Sequence, residues 1–157
     1  MPQNPWVTVP SSSAPRWMKL DQVRSSARID SPFGFDLDEA GRIYLADTSN
    51  ARVRLVDTEG VIHTLAGTGV AGFSGDDGPA VLAALDNPTD VAIDSAGNLF
   101  VAEYASCRVR KIEGAADPGT ALIRTVAGGD CAAADAVHAH GLAVDSDDDL
   151  LIADPDR

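Results

Sequence analysis

Apolar residues in this chain alternate with polar ones inside short runs, and no run keeps helical spacing for ten residues or more. GFDLD (34–38), RIYLAD (42–47), RVRLVD (52–57) and VIHTLA (61–66) carry apolar side chains at Phe35/Leu37, Ile43/Leu45, Val53/Leu55 and Ile62/Leu65. A mostly two-residue period is what a pleated strand requires. Turn material separates the runs: EAG at 39–41, TSNA at 48–51 and TEG at 58–60. The pattern therefore predicts short strands joined by tight turns. AVLAAL (80–85) is the one candidate for a helical turn, because Pro79 pre-sets the backbone there.

The strand pattern repeats. Residues 32–60 and 88–113 align at a shift of 56, matching Pro32 to Pro88, Asp38 to Asp94, Gly41 to Gly97, Asp47 to Glu103, Arg52 to Arg108 and Arg54 to Arg110. HGLAVDSDDDLLIADPDR (140–157) aligns with the second copy at a shift of 51, matching Asp94 to Asp145 and Glu103 to Asp154. Carried backwards, the longer shift sets PWVTVP (5–10) on VIHTLA and RIDSP (28–32) on ALDNP (84–88). Four short antiparallel strands per repeat of about 50 residues is the unit of a β-propeller blade. One such sheet cannot cover both its faces, so blades stack face to face. A β-helix has much shorter coils, and a β-sandwich would not repeat its sequence so faithfully.

The expected fold is all-β, a partial β-propeller of four-stranded antiparallel blades with too few blades to close a ring alone. The expected organisation is an atypical segment at 1–30 holding the outer strand of a preceding blade, a blade and linker at 31–85, another at 86–136, and a truncated blade at 137–157. Such a chain is expected either to be a fragment or to close its ring by self-association or with further blades.

The residues that recur define a resemblance. PFGFDLDEAGRIYLADTSNARVRLV and PTDVAIDSAGNLFVAEYASCRVRKI resemble the NHL repeat, and TLAGTGVAGFSGDDGPAVLAAL is similar to the linker between repeats of many bacterial multi-NHL proteins. The resemblance implies a propeller that serves as a protein- or RNA-binding platform, as a sensor domain or, in some members, as a lyase scaffold. The chain departs from the pattern at Asp90 (Gly34 in copy one), Glu103 (Asp47), Ser106 (Asn50) and Asp148 (the Gly41 turn).

Charge narrows the partners. Asp and Glu outnumber Lys and Arg 24 to 12, a net charge of −12, which argues against nucleic acid and anionic membranes as partners. No apolar stretch approaches a membrane span, and no secretory signal is visible in the first 20 residues. The composition fits a soluble protein and would suit an extracytoplasmic setting. Two cysteines are too few for a disulfide scaffold or a four-ligand zinc knuckle. Independent thiols are the favoured reading, with a Cys107–Cys131 disulfide as the alternative.

GTGVAG (67–72) fits the dinucleotide-binding fingerprint, but FSGDDGP follows Gly72, and no helix could start through it. It reads as an inter-blade loop, and no cofactor is expected. SGDDGP (74–79) and DSDDD (145–149) gather carboxylates without EF-hand spacing, so solvated turns are favoured over calcium. His138-Ala-His140, placed on a strand, would put both rings on one face, a sound geometry for a metal or for channel catalysis. No third ligand is identifiable, since His63 falls on a predicted outer strand, so these are weak metal candidates. Asp47, Glu103 and Asp154 end the second strand of each copy, with Arg52 and Arg108 five residues after the first two. That recurrence reads as an intrablade salt bridge or turn brace. Phe73, Asp76 and Asp77 are candidates for a ligand-facing loop, and Trp6 and Trp17 for an anchor or a partner surface. The expected function is a non-enzymatic platform that contacts protein or other ligands through blade-top loops. The alternative is part of a propeller enzyme, such as a metal-dependent lyase using channel histidines.

Overall fold

The computed structural model describes residues 28–134 and 136–155. Trp6, Trp17 and the expected strand at 5–10 lie outside them. Strands β1 (Pro32–Leu37), β2 (Ile43–Asp47), β3 (Arg52–Val56) and β4 (Ile62–Ala66) form one antiparallel sheet in sequence order, the first blade. A two-residue strand, β5 (Gly78–Pro79), precedes β6 (Pro88–Ile93), β7 (Leu99–Glu103), β8 (Arg108–Glu113) and β9 (Leu122–Gly128), which build the second. There the order is β5-β9-β8-β7-β6, so the linker from blade one adds an outer edge to blade two. β10 (Gly141–Val144) and β11 (Leu150–Ala153) form the hairpin of the third. This is an all-β, partial β-propeller.

The hairpin turns show why the repeated residues recur. Asp38, Asp94 and Asp145 each accept the backbone N–H four residues on, from Arg42 (2.9 Å), Asn98 (2.7 Å) and Asp149 (3.0 Å). The turn itself needs a left-handed residue, supplied by Gly41 (φ 83°) and Gly97 (φ 80°). Asp148 takes the same conformation (φ 63°) in blade three, and its carboxylate also accepts the Ser95 N–H at 2.9 Å from blade two. Asp tolerates this region better than most residues. The departure from glycine thus adds an inter-blade bond. Buried Tyr44 donates its hydroxyl to Asp38, and burial, ahead of that carboxylate's charge, pushes the phenol up to about 12.

Core forms between blades. Tyr44, Val53, Leu55 and Leu65 of blade one meet Val91, Leu99, Val101 and Ile112 of blade two, with linker residues Ala80, Ala83 and Leu85 between them. Phe100, Ala102 and Val109 form the opposite face of blade two, against Leu142, Val144, Leu150 and Ile152 of blade three. Every residue of β7 is therefore buried. Phe35 and Leu37 instead stay outside this core and are exposed at 66% and 42%. AVLAAL supplies only the short 3-10 turn Ala80–Leu82.

The glycines of GTGVAG serve a close backbone crossing. Gly67 has φ 95°, and a Cβ there would lie 2.4 Å from the Ala51 carbonyl oxygen. Its counterpart Gly128 repeats this arrangement against the Cys107 carbonyl oxygen, at 2.2 Å. The segment runs from β4 to β5 with no helix opening on it.

Candidate functional site

At the end of each blade where the second strand finishes and the innermost strand begins, one carboxylate ties the two together. Asp47 accepts the Asp30 N–H (2.8 Å), Glu103 the Asp86 N–H (3.4 Å) and Asp154 the His138 N–H (3.1 Å). A residue three positions on braces the acid in the first two blades: Asn50 on Asp47 and Ser106 on Glu103, both at 2.8 Å. The substitution of Ser106 for Asn50 therefore keeps its bond.

The arginine partners differ from the expected pairing. Asp47 pairs with Arg54 (2.8 Å) and Glu103 with Arg110 (3.4 Å), not with Arg52 and Arg108. Arg52 donates to the Thr68 carbonyl at 2.9 Å, and Arg108 donates to the Gly129 carbonyl. Each left-handed glycine turn after the outer strand presents a carbonyl at that point, and the nearer guanidinium takes it. Burial, outweighing the pull of Arg110, raises the carboxyl of Glu103 above its usual range.

Phe73 and Asp76 are both exposed, Phe73 at 47%, and each is engaged by an arginine of blade two. The Arg108 guanidinium stacks 3.4 Å from the Phe73 ring centroid, and Arg110 bridges Asp76 at 2.7 Å. Asp77 is exposed, in a left-handed conformation at φ 60°. His63, on β4, contacts Asp57 at 2.7 Å. The acids of DSDDD bond largely within their own turn, Asp145 accepting the Asp147 and Asp149 amides.

The histidine pair lies not on a strand but in the segment before β10, beside Tyr104 from the turn after β7. The Tyr104 ring stands edge-on to His140 at 4.6 Å and to His138 at 6.0 Å. Tyr104 is 37% exposed, and His140 is exposed. Sequence reasoning passed over Tyr104, which only the fold brings to the histidines; its position next to Glu103 at a strand end was the available signal.

The cysteines are not independent thiols. Cys107 and Cys131 form a disulfide with a Cα–Cα separation of 5.2 Å, because Gly129 turns the linker back over the Cys107 carbonyl. The sulfur atoms of the pair and a ring nitrogen of His138 lie within 4.8 Å of one another. Among the described residues, no helix is long and apolar enough to cross a membrane.

The stacked antiparallel sheets define a partial β-propeller, and the NHL repeat family model matches residues 85–112. Among curated proteins, the chain is 38% identical over 95 residues to Protein SUPPRESSOR OF QUENCHING 1, chloroplastic, of Arabidopsis thaliana. It is 32% identical over 106 residues to human Teneurin-4. Each match covers 59% of this chain but only 9% and 4% of those proteins.

Among solved structures, a structural genomics protein of unknown function from Bacteroides thetaiotaomicron aligns with TM-score 0.64 and 18% identity, over 85% of this chain and 35% of that one. Virginiamycin B lyase from Staphylococcus aureus aligns with TM-score 0.56 and 12% identity, over 81% and 36%. At such identities the likeness is one of fold.

Proposed function

We propose that this chain is a non-enzymatic binding platform, and that the surface carrying Tyr104 and His140 at the junction of blades two and three contacts its partner. The observation behind this reading is the pairing of an exposed tyrosine with an exposed imidazole, 4.6 Å apart. The recurring acids, by contrast, hold backbone amides and arginines. Tyrosine is enriched at interface cores because it offers a large rigid surface with one polar tip. The scaffold positions the pair firmly: Tyr104 donates its N–H to the Asn87 carbonyl, and His140 to the Ala153 carbonyl. The partner class is a protein or another ligand.

The test places a photo-crosslinking residue at position 104 and, as control, at Glu59 in the exposed turn between β3 and β4. A discrete adduct at 104, lost in His140→Ala and absent at 59, is the expected result. Equal labelling at both positions, or none at 104, would overturn the reading.

A second reading, a portion of a lyase, draws on the same ring pair and on the fold shared with virginiamycin B lyase. One solved form of that lyase is a catalytically inactive histidine-to-alanine variant with quinupristin. Consumption of quinupristin by this chain, abolished in His140→Ala, would favour it.

A further inference from the structure

We propose that the Cys107–Cys131 disulfide conceals a site for a borderline-soft divalent cation of the zinc type, formed on reduction with His138 as the third ligand. The two sulfurs and a ring nitrogen of His138 already lie within 4.8 Å of one another. Around a tetrahedral zinc, bond lengths of about 2.3 Å to sulfur and 2.0–2.1 Å to nitrogen put the ligand atoms roughly 3.5–3.8 Å apart. Opening the disulfide lets the sulfurs separate to that distance by side-chain rotation.

The backbone that carries these groups is held by hydrogen bonds as well as by the sulfur bridge. The Cys107 carbonyl accepts the Gly129 N–H at 3.0 Å and the Val137 N–H at 3.4 Å. Arg108 holds the Gly129 carbonyl, and Asp154 holds the His138 N–H. The Cys107 turn, the linker and the histidine segment are thus tied together by more than the disulfide. Cys107 is buried, His138 half-buried and Cys131 exposed, so a cation would arrive on the Cys131 side and keep a fourth position for water.

The chemistry balances with a dithiol as reductant. It passes two electrons and two protons to the S–S bond and becomes a disulfide itself, leaving two protein thiols. Cation binding then releases those two protons to solvent, and two thiolates with a neutral imidazole offset the double positive charge.

The experiment uses the full chain, reduced with a phosphine that does not compete for metal, and titrates it with Co2+ and then Zn2+. We expect one equivalent of Co2+ with a thiolate-to-cobalt charge-transfer band, displaced by Zn2+, and no band in the oxidised chain. Cys131→Ser should abolish the band. His138→Ala keeps the disulfide, so it enters the experiment folded, and once reduced it should bind at least about tenfold more weakly. The proposal fails if the reduced chain keeps its β-sheet circular dichroism yet takes up no cobalt. It fails equally if reduction unfolds the chain, or if His138→Ala binds like the parent.

Discussion

Arg52 and Arg54 lie two residues apart on one strand, yet their removal should have different consequences. Arg54 pairs with Asp47, which is fully buried, so Arg54→Ala leaves a charge without its partner. Breaking such a pair costs about 3 kcal/mol, whereas losing the single bond from Arg52 to the Thr68 carbonyl costs about 1–2 kcal/mol. Urea denaturation of the two variants should reproduce that order. The recurrence of Asp47, Glu103 and Asp154 was legible in the sequence, but the arginine partner was not. Strand register sets Arg52 directly across from Asp47, and only the folded linker reveals the carbonyl that draws it away.

Glu103 carries a pH signature. Its folded carboxyl titrates above the ordinary glutamate range, so at the upper end of that range the folded state holds a proton that the unfolded state has released. Stability must then fall as pH rises through the folded value. Glu103→Gln should flatten this decline, read as the slope of unfolding free energy against pH.

At the scale of elements, blades are joined by acids on the innermost strands. Asp36 of β1 accepts the Ile93 N–H at 2.9 Å, and Asp90 of β6 accepts the Leu142 N–H at 2.8 Å. Gly34 and Asp90 occupy the same repeat position, which in the sequence was only a departure from pattern. The structure supplies the reason: a Cβ on Gly34 would lie 1.8 Å from the Asp90 carboxylate. Gly34→Ala should therefore destabilise by about 1–3 kcal/mol, the usual range for overpacking. Asp90→Gly in that background should return part of the loss in thermal melts. Strand positions and turns could be read because they depend on neighbouring residues. The Tyr104–histidine cluster could not, and the disulfide was legible only as the alternative to independent thiols, because both depend on how the chain after Gly128 folds back over blade two.

At the scale of the molecule, the two end faces are unlike the middle. Phe33 and Phe35 on the outer face of blade one are 76% and 66% exposed, forming an apolar surface of the kind that another blade covers in a stack. Phe33→Glu with Phe35→Glu should leave the melting temperature nearly unchanged and reduce concentration-dependent association in sedimentation. β7 is the converse, since Leu99 and Val101 meet one neighbour while Phe100 and Ala102 meet the other. Its amides are bonded into ladders with β6 and β8 and lie under packed side chains on both faces. In deuterium the strand at 99–103 should accordingly be the last to exchange, with protection falling off toward β1 and β11. The chain would then have a centre in time as well as in space, with its memory of the folded state held longest in blade two.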